Sequence, residues 1–320
     1  MATKLTAKEY ATRQERLSGG HRLCAGCGAG VVVRQVLMGA KDHPVVVSNA
    51  TGCLEVSTTI YPYTAWKDSF IHSAFENAAA TISGVEAAYK SLSRQGRVDP
   101  DRPYKFLSIA GDGGSYDIGL QAISGALERG HDIVVVCYDN GAYMNTGFQR
   151  SAATPPGAWT TTCPNGKVSP GKTQKRKNLT AIATAHGIPY VAQASPHNFR
   201  DLIAKAELAF DTPGPAFLNV LSPCPRGWRS ADDQGMILAK MMVDSCFWPL
   251  YEVVDGEYSL TYDPGKRKIP VRDWMSQQGR FKHLFTPQFE YMLDQMQEEV
   301  DREWDRLKQL CALGGDTPAQ

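Results

Sequence analysis

The chain has 320 residues, 42% hydrophobic and 21% charged, with a formal net charge of +1. That is the make-up of an ordinary globular protein with a sizeable core, and so small a charge excludes broad electrostatic attraction to nucleic acid or an anionic membrane. No apolar run nears the ~18 residues of a membrane span, and residues 1–16 lack the apolar centre of a secretory signal, so the expected location is cytoplasmic.

Residues 1–20 read as a polar arm. A glycine-rich turn at 24–30 feeds residues 31–40, helical despite their valines. Residues 45–47 form a short buried strand that breaks in a polar turn, 48–53. A helix is expected over 70–92, where Ala80, Gly84, Ala87 and Ala88 permit close packing on a sheet. Residues 95–103 read as a surface loop. The apolar run 106–110 breaks at Gly111-Asp112-Gly113-Gly114, residues 118–129 are helical, and the apolar run 133–137 breaks at Asp139-Asn140-Gly141. Residues 151–177 are rich in Thr, Pro, Gly and Lys without periodicity, and loops of that length are usually functional. A helix over 179–186, a strand at 190–192, an amphipathic helix over 197–210 and a strand at 215–221 follow, the last ending in Ser222-Pro223-Cys224-Pro225. Past Ser230 the pattern turns irregular until an acidic, Arg-containing helix over 287–310.

This order predicts an α/β fold, a doubly wound parallel sheet with helices on both faces. The division expected is an arm at 1–20, a ligand-binding domain at 21–230 and a C-terminal extension at 231–320 that wraps the core or contacts a partner. The turns 24–30, 48–53, 111–114, 139–147 and 222–225 can lie at one sheet edge, where ligands bind in such folds.

Asp112 stands between glycines that let a phosphate approach the backbone, and its carboxylate can hold a divalent cation. Asn140 ends the next strand and can supply a second hard oxygen, and the carbonyl of Ala142 a third. With diphosphate oxygens and water these complete an octahedron suited to Mg²⁺. Gly-Asp-Gly followed at this spacing by Asn resembles the thiamine diphosphate motif. The alternatives are a βαβ turn whose glycines only reverse the chain, and a Rossmann-type nucleotide site, which the lack of Gly-x-Gly-x-x-Gly after the first strand disfavours.

Of eight cysteines, Cys24, Cys27, Cys53 and Cys224 fall in the turns and can converge. Four thiolates suit Zn²⁺ or an iron–sulfur cluster, and Cys24-x-x-Cys27 alone could be a redox pair. Cys137, Cys163, Cys246 and Cys311 read as packing residues. Thiamine chemistry makes a 2-oxo acid electron-rich after decarboxylation, and a nearby cluster could take those electrons singly where zinc could not. The pairing of motifs therefore favours [4Fe–4S].

Cys24-Ala25-Gly26-Cys27-Gly28, Asn49-Ala50-Thr51-Gly52-Cys53-Leu54-Glu55, Phe75-Glu76-Asn77-Ala78, Gly111-Asp112-Gly113, Tyr143-Met144-Asn145-Thr146-Gly147 and Ser222-Pro223-Cys224-Pro225 together resemble the β subunits of the pyruvate:ferredoxin oxidoreductase (pyruvate synthase) family, within the 2-oxoacid:ferredoxin oxidoreductases. The resemblance covers residues 21–230. It implies that Cys24, Cys27, Cys53 and Cys224 hold a [4Fe–4S] cluster, and that Asp112, Asn140 and the Ala142 carbonyl bind Mg²⁺. It further implies that Cys53, Gly111, Gly113, Gly114 and Tyr143 border thiamine diphosphate, with Asn145 catalytic at the thiazolium and substrate. An acidic residue that follows Cys-x-x-Cys-Gly in some single-chain relatives is replaced by Ala29. The resemblance also implies CoA as co-substrate and ferredoxin as acceptor. The partners implied are an alpha subunit with the pyrimidine-binding domain and its glutamate, a gamma subunit and a ferredoxin-like delta subunit, because this chain carries only the diphosphate half of a thiamine site and no ferredoxin-type cysteine run. Alone it should be inactive.

Pyruvate is the expected substrate, with oxalate, a branched-chain 2-oxo acid or 2-oxoglutarate as alternatives. A zinc-stabilised interaction module would leave Asp112 and Asn140 unexplained, and a self-contained decarboxylase would need a second thiamine domain. His21 and Arg22 stabilise their turn or contact substrate or CoA. Glu55 forms an ion pair or orients a neighbouring subunit. Lys167, Lys172, Lys175, Arg176 and Lys177 form a solvated loop or receive CoA or a partner. Trp159, Trp228 and Trp248 read as core or interface packing.

Overall fold

Eight strands form one sheet in the order β2-β1-β3-β4-β6-β5-β7-β8 in a computed structural model that describes residues 6–314. The first five residues of the expected arm and the last six of the expected extension lie outside the described residues. The strands β1 Val45–Ala50, β2 Ser69–Ser73, β3 Lys105–Gly111, β4 Val134–Asp139, β5 Tyr190–Ala194 and β6 Ala216–Leu221 run parallel. β7 Leu250–Val254 and β8 Glu257–Tyr262 add antiparallel to the β5 edge. The helices are α1 Ala7–Ala11, α2 Gly28–Gly39, α3 Cys53–Thr58, α4 Ala78–Arg94, α5 Leu120–Glu128, α6 Leu179–Thr184, α7 Phe199–Asp211, α8 Pro225–Trp228, α9 Gly235–Asp244, α10 Val271–Ser276 and α11 Tyr291–Gly314.

The sheet is buried on both faces, which is why β4 and β6 read as continuous apolar runs. Their side chains still alternate with the pleat. Val134, Val136 and Tyr138 enter the core that includes Val33 and Val36 of α2 and Leu202 and Ala206 of α7. Val135 and Cys137 enter the opposite core with Ile82 of α4, Ile123 of α5 and Trp304 of α11. Helices α2 and α7 touch closely at Gly39, where a Cβ would stand 2.5 Å from that of Ala206.

The expected α/β sheet with helices on both faces is the fold observed. Three local readings need correction. Residues 48–50 are strand, not turn: Ser48 and Asn49 complete a β1 that pairs on both sides, and the Ser48 hydroxyl meets that of Ser73 at 3.3 Å across to β2. Residues 69–73 are the edge strand β2 rather than the start of a helix, which begins only at Ala78. The turn at 48–53 ends in a helix, α3, that the sequence pattern did not indicate. Residues 231–314 build on the same sheet: β7 and β8 extend it, and α9, α10 and α11 cover one face. Among the described residues no helix is long and apolar enough to cross a membrane.

Candidate active site

Because β1, β3, β4 and β6 are parallel and in register, the segments that follow them leave from one edge of the sheet. The chain moves from β1 outward to β2 and then back across to β3, so the order reverses between β1 and β3. Crevices at such reversal points are where this class of sheet binds ligands. Here a cleft is lined by Thr51, Gly52 and Cys53 after β1, Gly111 to Gly114 after β3, and Asn140 and Ala142 to Thr146 after β4, with Phe75 and Tyr138.

Asp112 is 1% exposed. One carboxylate oxygen accepts the Ser151 hydroxyl, and the other accepts the Asn140 backbone N–H at 3.4 Å. Burial first, and then the neighbouring Asp139 charge, push the Asp112 carboxyl well above its ordinary range, against those two hydrogen bonds. A cation would reverse that balance. The Asn140 side-chain amide meets Asp112 Oδ1 at 3.0 Å and the Ala142 carbonyl at 2.9 Å, and its NH₂ donates to both. An octahedron with metal–oxygen distances of about 2.1 Å has edges of about 3.0 Å, so these groups are spaced as the ligands of one Mg²⁺ would be once the amide turns its oxygen inward.

The glycines of this turn are fixed by close approach. A Cβ on Gly113 would stand 2.2 Å from the Tyr143 ring, and one on Gly114 2.9 Å from the Phe75 carbonyl. The Tyr143 hydroxyl donates to the Gly113 carbonyl at 2.9 Å, which ties the loop after β4 to the turn after β3. Gly113–Asp117 forms a single π-helical turn leading to α5. Asn145 is exposed in the cleft lining, while Met144 turns inward against Gly227.

The cysteines occupy neighbouring loops. Cys27 and Cys224 are the residues before α2 and α8, and Cys53 opens α3. The Gly227 N–H points at the Cys224 sulfur at 3.4 Å and so caps α8. The loops interlock, since Gly28 N donates to the Pro223 carbonyl at 2.8 Å and a Cβ on Gly28 would collide with Pro223. Burial, followed by the charges of Cys224, Cys27 and Cys24, pushes Cys53 up to about 12. Burial and the same kind of repulsion from Cys27 and Cys24 push Cys224 up to about 11. All four are free thiols. Burial thus disfavours the thiolates of Cys27, Cys53 and Cys224, and a positive centre between them would keep them ionised. Among the described residues, no three His, Cys, Asp or Glu side chains gather as a single-ion site.

The long segment after Arg150 buttresses this edge. Thr154 Oγ1 donates to the Gly141 carbonyl at 2.7 Å. Lys172, 1% exposed, donates to the carbonyls of Thr154 at 2.5 Å and Ala152 at 3.3 Å. Arg176 donates to Asp139, to the Tyr116 hydroxyl at 2.6 Å and to the Ala153 carbonyl at 3.1 Å. Burial works against its charge, but Tyr116 and Asp139 outweigh burial and hold the guanidinium above its ordinary range. Asp139 in turn accepts the Gly141 N–H at 3.0 Å. Lys172 is therefore buried and not free to receive an anion, while the half-buried Arg176 is committed to Asp139 and Tyr116. Only Lys167 and Lys175 of that basic group are exposed, and Lys175 pairs with Glu299 at 3.3 Å.

Glu55 accepts from Thr59 at 2.9 Å and faces His72 at 3.6 Å, and the Arg22 N–H holds the Ser57 carbonyl. Trp228 and Trp248 are core residues. The Trp228 indole N–H also donates to the Asn140 carbonyl at 2.7 Å. Sequence reasoning missed Ser151, Thr154, Asp139 and Arg280. Ser151 and Thr154 carried one signal, a long loop starting directly after the Tyr143–Gln149 stretch; Arg280 carried none.

The family model for the thiamine pyrophosphate enzyme C-terminal TPP-binding domain matches residues 50–220. The chain is 50% identical to pyruvate synthase subunit PorB of Thermotoga maritima, over 98% of each chain. It is 40% identical to ketoisovalerate oxidoreductase subunit VorB of Pyrococcus abyssi, over 94% of this chain and 95% of that one. Among solved structures, 2-oxoglutarate:ferredoxin oxidoreductase from Magnetococcus marinus shares the fold with a TM-score of 0.54 and 20% identity, over 71% of this chain and 79% of that one.

Proposed function

Because the chain belongs to the pyruvate synthase PorB family of thiamine pyrophosphate enzymes, we propose that it is the catalytic β subunit of a pyruvate:ferredoxin oxidoreductase, carrying Mg²⁺-bound thiamine diphosphate and a [4Fe–4S] cluster. The coarser activity, a thiamine diphosphate-dependent 2-oxoacid oxidoreductase, comes with the family. The observation that carries the finer reading is the meeting of the Asn140 amide with Asp112 Oδ1 at 3.0 Å and the Ala142 carbonyl at 2.9 Å, at the same sheet edge as the loops of Cys24, Cys27, Cys53 and Cys224.

Asp112, Asn140 and the Ala142 carbonyl hold the metal, and Gly111, Gly113 and Gly114 leave room for the diphosphate. Tyr143 and Cys53 border the cofactor, and Asn145, exposed in the cleft, faces the substrate. Bound thiamine diphosphate supplies a carbon nucleophile and electron sink, and the cluster accepts electrons one at a time.

Residues 50–220 match the C-terminal TPP-binding domain of thiamine pyrophosphate enzymes, and an alpha subunit supplies the pyrimidine-binding half. Gamma and ferredoxin-like delta subunits complete the enzyme and pass electrons to ferredoxin, with CoA taking the acyl group. Pyruvate is preferred because the PorB relatives are the more similar ones; the VorB relative keeps a branched-chain 2-oxo acid as the second reading, decided by turnover on a panel of 2-oxo acids. Asp112→Ala should abolish metal-dependent thiamine diphosphate binding by the assembled complex while its broad cluster absorbance near ~400 nm stays. Cys224→Ser should bleach that absorbance. A colourless wild-type complex prepared without oxygen would overturn the cluster assignment.

A further inference from the structure

Arg280 lies in the C-terminal segment, just after α10, and is 2% exposed. Its guanidinium stacks on Trp228, 4.6 Å from the ring centroid, and its Nε donates to Gln278 at 2.9 Å. One terminal nitrogen rests against Gly141, 3.1 Å from where a Cβ would stand; Gly141 has φ of +81°, so a side chain is doubly disfavoured there. The acidic groups that face Arg280 are Cys224, Asp139 and Asp112. Burial pulls its pKa down to about 9 against those groups, and it remains charged at neutral pH. None of them pairs with it: Asp139 is taken by Arg176 and Asp112 by Ser151. A buried cation without an ion-pair partner is costly, and an apolar side chain would fill the same space.

We propose that Arg280 is a positioning residue for electron transfer: from between the Cys224 loop and the Asn140–Ala142 turn, its fixed positive charge favours the reduced cluster. The inference rests on the cluster reading above. Reduction adds one electron, drawn from the 2-oxo acid undergoing oxidative decarboxylation, and so one negative charge; no bond to Arg280 forms or breaks. The same Trp228 that stacks on the guanidinium holds the Asn140 carbonyl, so the C-terminal segment reaches the cluster loop and the metal turn through one contact.

The test is a redox titration of the cluster, followed by electron paramagnetic resonance, in the assembled complex. Arg280→Gln should move the midpoint to a more negative potential, with the cluster spectrum retained, and Arg280→Lys should stay near wild type. Gln278→Glu keeps the guanidinium in place and neutralises it with an adjoining carboxylate, so it serves should Arg280→Gln fail to assemble; the same negative shift is expected. A midpoint equal to wild type in whichever neutralised variants assemble would make Arg280 a packing residue and overturn the proposal. A wild-type complex with no cluster signal would instead overturn the reading on which it rests.

Discussion

Ser151 donates to one carboxylate oxygen of Asp112 and leaves the other facing Asn140, so in the metal site proposed above it would orient the acid without competing for the same oxygen. Outer contacts of this kind commonly change metal affinity by about 10–100-fold when removed. Ser151→Ala should therefore weaken Mg²⁺-dependent thiamine diphosphate binding by about 10-fold or more, read by calorimetry on the assembled complex. Unchanged affinity would remove Ser151 from the site. Asp112 and Asn140 were legible in the sequence because an acid between glycines and an amide after the next apolar run are rare in combination. Arg280 was not, since it reaches the site by tertiary approach from a segment without motif or period, and Ser151 showed only as the start of a long loop. The basic residues misled for a related reason. Lys172 is buried as a donor to carbonyls and the half-buried Arg176 is held by Asp139, and nothing in composition separates a buried lysine from a solvated one.

Helix α4 shows how an element is locked onto the sheet that carries the site. Its buried Glu86 accepts from Lys90 at 2.5 Å, from His131 at 2.8 Å and from the Asp132 N–H at 3.0 Å, and so pins the helix to the loop that leads into β4. Burial raises the Glu86 pKa, but those three bonds outweigh it and hold the carboxyl below its ordinary range. A carboxyl lowered in the folded state adds stability above its unfolded pKa of about 4.3 and loses it as pH falls through the folded value. Glu86→Gln should cost about 1–3 kcal/mol at pH 7, with the gap closing as pH drops below about 4. A gap independent of pH in denaturant titrations would mean that packing, not charge, is what the substitution removes. At this scale the central strands announced themselves by apolar runs. The polar half of β1 and the edge strand β2 did not, because Ser48, Asn49 and Ser73 are satisfied or enclosed only once the strands pair.

Across the whole molecule, the edge that carries the metal turn also carries the cysteine loops, and one sheet holds both rigidly. The α/β architecture followed from the repeated strand–turn–helix order. The share of the sheet built by residues beyond Ser230 did not, since β7 and β8 are short antiparallel additions whose burial alternates or fades toward solvent. On the subunit division proposed above, a partner completes the cofactor site, so this chain alone should reduce no ferredoxin. The most direct measurement is ferredoxin reduction by the complex assembled from this chain and its partner subunits, without oxygen, with thiamine diphosphate, Mg²⁺, pyruvate and CoA. Reduction that needs pyruvate and is lost in both Asp112→Ala and Cys224→Ser is the expected result; reduction that survives either substitution, or proceeds with this chain alone, would contradict it.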